Sequence, residues 1–164
     1  MLEAIPTNLF ATKFWLQQDN KLLGEIGAAF WGENARLDLE DGSYGLYRDG
    51  LLGGDYVLER KGEIVARASK PSAFKNNFEV QLPDRRLELR RPSAWSWNRL
   101  RLTRNAPRFD LFDAEEPVGS IYPVGAFTRH TIIDLPDNWS LPIRAFLFWL
   151  AYTSWKSQSY LGPS

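Results

Sequence analysis

The sequence predicts one mainly β domain, a sandwich or barrel of roughly twelve short strands, closed off by a buried C-terminal helix. Three observations carry this reading. Short runs alternate apolar and polar residues over the first 135 positions, with a turn signal about every ten residues, as hairpin-connected strands do. Aromatic residues are abundant in the 164, with seven Trp, ten Phe and six Tyr against one Met, which suits a well-filled β core better than a helical bundle. Near the end the period changes, in the dense apolar run Leu141 to Trp155, "LPIRAFLFWLAYTSW".

The strands are read in order. "KFWLQQ" stops at Asp19-Asn20, and "KLLGEIGAAF" runs to Gly32. "ARLDLE" sets Ala35, Leu37 and Leu39 on one face and Arg36, Asp38 and Glu40 on the other, before the hairpin signal Asp41-Gly42. "SYGLYRD" ends at Asp49-Gly50; "GDYVLER" and "EIVARAS" flank Lys61-Gly62. "NFEVQL" stops at Pro83-Asp84. "RLELR" and "RLRLTR" are expected to pair across "RPSAWSWN", and "RFDLFD", "PVGSIY" and "FTRHTIID" complete the series. The strands thus run from about residue 13 to 134 of a single domain spanning 1–164, with no linker and no fixed repeat.

The helix, expected over about 141–157, starts at Ser140 as N-cap with Pro142 in its first turn, where a missing N–H costs little. From Ile143 to Tyr152 only Arg144 is charged, and apolar residues occupy every face. Such a helix is buried in a core or in a membrane. About twenty residues are needed to span a bilayer, and this run is shorter and bounded by Arg144 and Lys156. The expectation is a core helix inside the β structure and no transmembrane span.

Composition narrows function. With no Cys, disulfide scaffolds and Cys-based zinc sites are excluded. The N-terminal segment lacks a signal-peptide pattern, so a cytoplasmic protein is expected. Twenty basic and twenty acidic residues cancel, which argues against a nucleic-acid partner. The charge is unevenly laid out: Arg85 to Arg108 holds eight arginines and one acid, Glu88, whereas Glu33 to Glu63 holds eight acids and four bases.

Candidate chemistry is sparse. His130, the only histidine, reads as a strand residue, no "GxSxG" elbow is present, and "GLLGGD" lacks the Lys of a phosphate loop. Asp38, Glu40 and Glu88 alternate with apolar residues and read as solvated strand faces. A non-enzymatic protein without cofactor or metal is expected. The arginine cluster is the candidate site: Arg86 and Arg90 point away from Leu87 and Leu89, and Arg99 and Arg101 away from Leu100 and Leu102. Clustered guanidinium groups bind phosphate in bidentate fashion, and Trp95 and Trp97 suit a lipid headgroup interface. The alternative is an ordinary solvated face, its arginines paired to Glu88 and to the acids of 33–63.

Several stretches carry a resemblance. "GEIVARASKPSAFKNNFEV" (Gly62 to Val80), "PVGSIYPVG" (Pro117 to Gly125) and "IIDLPDNWSLPIRAFLFWLA" (Ile132 to Ala151) resemble segments of the tubby C-terminal-like superfamily, which includes the phospholipid scramblases and the LURP-one-related proteins. The resemblance in element order runs from about Phe14 to Trp155. It implies a closed antiparallel barrel of about twelve strands around the C-terminal hydrophobic helix, and a binding domain for anionic phospholipid headgroups or a protein partner. The scramblases' Pro-rich extension and Cys cluster have no counterpart here. Their calcium segment would fall at Ile132 to Ser140, where only Asp134, Asp137 and Asn138 offer ligands, short of the six to eight oxygens calcium takes. A lipocalin-like barrel holding a small apolar ligand is the alternative, and it requires an empty interior.

Overall fold

The alternation read in the sequence is realised in twelve antiparallel strands, each hydrogen-bonded to the next in chain order: β1 (Leu2–Pro6), β2 (Lys13–Gln18), β3 (Lys21–Ala28), β4 (Ala35–Leu39), β5 (Gly42–Arg48), β6 (Tyr56–Arg60), β7 (Glu63–Ser69), β8 (Phe78–Gln81), β9 (Arg86–Arg90), β10 (Phe109–Asp113), β11 (Glu116–Pro123) and β12 (Thr131–Asp134). The structure is a computed structural model and describes residues 1–29, 33–50, 53–71, 77–91, 108–125 and 129–159. β12 returns to β1 through the pairs Leu2↔Ile133, Glu3↔Ile132 and Ala4↔Thr131, so the sheet closes and leaves no edge strand. Across that seam His130 Nε2 lies 2.7 Å from Glu3 Oε2.

Two expectations are corrected. The first strand begins at Leu2, ahead of the expected start near residue 13. "LEAIP" is short, holds a small Ala at an inward position and ends in Pro, a residue that weakens a strand signal, yet Leu2 and Ala4 are wholly buried. The second concerns β9, which is paired on one side with β8 (Gln81↔Arg86) and on the other with β10 (Asp110↔Arg90). Both edges of β9 are therefore taken, and the expected partner "RLRLTR" lies outside the described residues. Phe109 and Leu111 of β10 continue the buried inner row of Leu87 and Leu89, which is why "RFDLFD" takes that edge.

The two ends of the barrel differ. At one end successive strands are joined by two to four residues; at the other the six connections run from 7–12, the shortest together with 29–34, to 91–108, the longest. The tight turns at Asp19-Asn20, Lys61-Gly62 and Ala114-Glu115 all have both central residues at positive φ, the hairpin geometry whose twist matches the strands. Ala114 adopts φ 46° without the freedom of glycine. Ala114→Gly is expected to raise the unfolding free energy by about 1 kcal/mol, measured by denaturant titration, by removing that left-handed strain.

The helix α1 (Leu141–Ser159) enters from the tight-turn end and runs through the lumen to the long-loop end. The Ser140 carbonyl accepts the Arg144 N–H at 3.2 Å, fixing the start that the N-cap pattern predicts. Every residue from Ile143 to Ser154 is buried. Ring contacts to strands around the wall hold the helix in place: Phe14 with Phe148 at 5.1 Å, Tyr56 with Trp149 at 5.6 Å, Phe109 with Trp155 at 6.0 Å. Arg144, the one buried charged residue among those described, donates to Gln18 Oε1 and Asp137 Oδ1 at the entry. The helix takes the space that the lipocalin-like alternative requires. Among the described residues no helix is long and apolar enough to cross a membrane.

Candidate functional site

The predicted arginine site is only partly visible. Arg86 and Arg90 face outward and Leu87 and Leu89 inward, as the alternation requires. Arg90 is held by two carboxylates, Glu88 at 2.7 Å and Glu115 at 2.5 Å, and stacks 4.4 Å over the Phe112 ring. Hydrogen bonds to Glu88 and then Glu115 raise its already high pKa further. The groove around it, about 480 Å³, is lined by Arg67, Arg86 and Arg90 but also by Asp55, Glu79, Glu88 and Glu115. The acids offset the arginines, so this wall offers no surplus of positive charge. Arg99, Arg101, Trp95 and Trp97 lie outside the described residues.

A second set of cations gathers at the long-loop end, and period-two alternation puts it there. Continuing the inward rows Tyr44–Leu46, Ala66–Ala68 and Leu87–Leu89 by one step brings Arg48, Lys70 and Arg91 to the rim of the lumen. The last turn of α1 adds Lys156, whose ammonium donates to the Ala29 carbonyl at 3.0 Å. Glu33 sits among them, accepting from Arg48 Nη1 at 3.0 Å and from the Tyr56 hydroxyl at 3.1 Å. Arg48 lies 5.0 Å over the Tyr56 ring and Lys70 5.9 Å over Phe78, and those two rings meet edge to face at 5.5 Å.

The electrostatics follow from this crowding. Burial pushes the Tyr56 phenol up to about 12, with Glu33 adding to the shift. Burial pushes Lys70 down, and Arg48 beside it pushes further, while Glu33 partly restores it. Burial also lowers Lys156 and Arg91. Arg48, Lys70 and Lys156 about Glu33, with Arg91 on the same rim, form a site whose charged state a bound anion would stabilise, since loss of water depresses Lys70, Lys156 and Arg91.

The two barrel ends carry opposite charge. In the described connections of the long-loop end and the last helix turn, Lys70, Arg91, Arg108, Arg129 and Lys156 face Glu33, Asp49 and Asp55. At the tight-turn end Asp19, Glu40, Asp41, Asp84, Glu115 and Asp137 face Lys61 and Arg85. The neutral chain is thus polarised along the barrel axis. The long-loop end also displays apolar side chains: Leu9 is 100% exposed, Phe10 66% and Val124 53%.

Elsewhere the structure holds little chemistry. Among the described residues no carboxylate is buried, and no three His, Asp or Glu side chains are grouped as metal ligands. Asp137 of the calcium-like segment is engaged by Arg144, and Asp134 is exposed. Sequence reading missed the mouth because residues 33, 48, 70, 91 and 156 are scattered along the chain. The available signal was that every second connection is long. No family model, no curated protein and no solved structure matches the chain. Its closed twelve-stranded antiparallel barrel with a C-terminal helix in the lumen has the general tubby-like architecture that the sequence resemblance implies.

Proposed function

We propose that this barrel is a non-enzymatic binding domain that docks on anionic phospholipid headgroups with its long-loop end. The observation that carries the reading is the cluster of Arg48, Lys70 and Lys156 about Glu33 at the mouth, with Arg91 on the same rim. Phosphate is the anion that guanidinium and ammonium groups bind most readily together. Each Lys or Arg near an anionic bilayer contributes about 1 kcal/mol, and the opposite charge of the two ends would orient the molecule with its mouth toward the lipid. A cytoplasmic location would bring it against the anionic leaflet. Trp95, Trp97, Arg99 and Arg101 belong in sequence to the β9–β10 connection of this end and lie outside the described residues.

Vesicle sedimentation tests this. The protein is expected to bind mixed phosphatidylcholine–phosphatidylserine vesicles, to ignore pure phosphatidylcholine, and to weaken as salt rises. Lys70→Gln combined with Lys156→Gln should reduce binding about tenfold or more, since two charges are removed. Lys61→Gln at the opposite end should leave it unchanged. Equal binding to both vesicle types, or an undiminished double variant, overturns the proposal.

A further inference from the structure

The connection from β1 to β2 exposes two large apolar side chains, Leu9 and Phe10, and its hydrogen bonds fix the loop that presents them. The Asn8 side chain accepts the Thr12 N–H at 2.9 Å and donates to the Thr12 hydroxyl at 2.8 Å; the Ala11 N–H reaches the Asn8 carbonyl at 3.0 Å. Below the loop, the Thr7 N–H donates to the Lys13 carbonyl at 2.8 Å and the Ala28 N–H to the Thr12 carbonyl at 2.6 Å. Ala11 turns inward at φ 47° and is only 2% exposed, and its carbonyl accepts the hydroxyl of Tyr152 from the central helix at 3.0 Å. With Ala11 tied to the core, its neighbours Leu9 and Phe10 are turned outward.

Exposed apolar residues are common singly, but adjacent ones on a pinned loop are a different matter. A guanidinium stands beside them: Arg129 Nη1 donates to the Phe10 carbonyl at 3.2 Å, and among the described residues no carboxylate pairs with Arg129. Val124, in the adjoining β11–β12 connection, adds a third exposed apolar side chain. A stable protein interface needs roughly 800 Å² and some twenty residues on each side, far more than this tip supplies. A lipid bilayer needs only apolar side chains to bury and cations at headgroup depth.

We infer that Leu9 and Phe10 form an insertion tip that enters the acyl boundary of a lipid bilayer, with Arg129 at the level of the phosphates. The inference rests on the reading of the long-loop end as lipid-facing and adds a non-electrostatic component to it. Transfer of each side chain out of water is worth roughly tenfold in partitioning. The tip therefore supplies binding that salt does not screen, whereas the mouth cations supply binding that it does.

The absence of Cys allows a site-specific test. Leu9→Cys and, at the opposite end, Lys61→Cys are each labelled with an environment-sensitive fluorophore and mixed with phosphatidylcholine–phosphatidylserine vesicles. The emission at position 9 is expected to rise and shift to the blue, with no change at 61. In parallel, Leu9→Ser should unfold at the same temperature as the parent, since that side chain is fully exposed. That variant should lose roughly tenfold in vesicle affinity at high salt. Vesicle binding without a spectral shift at position 9, or equal high-salt binding by the Ser variant, overturns insertion while leaving headgroup docking intact. A shift at position 9 that depends on protein concentration and needs no vesicles assigns the tip to a second copy and overturns the inference. Absence of vesicle binding by the parent protein overturns both readings.

Discussion

Trp149→Ala is expected to lower the unfolding free energy by about 4 kcal/mol in denaturant titration, near the upper end of what large-to-small core changes cost. Trp149 sits in the middle of the central helix at 1% exposure, with its ring 5.6 Å from Tyr56 on the wall and 6.0 Å from Phe146. The size of the effect comes from the container. A cavity in an open core can partly collapse, but this wall is hydrogen-bonded to itself around its whole circumference and cannot contract without breaking a ladder. Trp15, 46% exposed on the outer wall, is the control: Trp15→Ala should cost about 1 kcal/mol or less, because it leaves no enclosed void. A chain ending at Ser140 should show no cooperative unfolding transition, since every inner row would then face an empty lumen. Equal costs for the two Trp substitutions would show that the helix does not carry the core.

Gly119→Ala is expected to cost about 3 kcal/mol, the upper end for overpacking, because the obstruction is backbone. A Cβ at Gly119 would come within 2.3 Å of the Asp134 carbonyl oxygen and 2.8 Å of Leu135 Cδ2. Gly119 pairs with Leu111, where the β10–β11 register shifts, and β11 there lies against the end of β12 from which the chain departs for the helix. Accommodating a methyl group means moving β12 away from β11 at that point. Gly27 provides the contrast: a Cβ there would meet nothing within 4 Å, so Gly27→Ala should stay within about 0.5 kcal/mol of the parent. Thermal unfolding of the pair decides the matter: similar losses at both positions would remove close backbone approach as the reason for the glycine in "PVGSIY".

Much of the architecture was legible because it is written locally. Leu37, Leu87 and Leu89 are buried where alternation puts them, and the helix starts behind Ser140 with apolar residues on every face. Length and flanking charge correctly placed "LPIRAFLFWLAYTSW" in a core. The outward direction of Arg86 and Arg90 followed from the same alternation, but their partners did not. Glu115 neutralises Arg90 from 25 residues away in the chain, across a strand pairing that period-two patterns do not specify.

What the sequence by itself determined is therefore which side of the alternating strands after β1 faces the core, where the helix begins, and that the helix must be enclosed. Tertiary structure alone decided that Leu2–Pro6 closes the barrel, that alternate connections sort into an acidic end and a basic one, and that Glu33, Arg48, Lys70, Arg91 and Lys156 share one mouth. The physical reason is range. Side-chain direction repeats every two residues and can be read from neighbours, whereas closure and clustering depend on strands that meet only after the chain has travelled round the barrel.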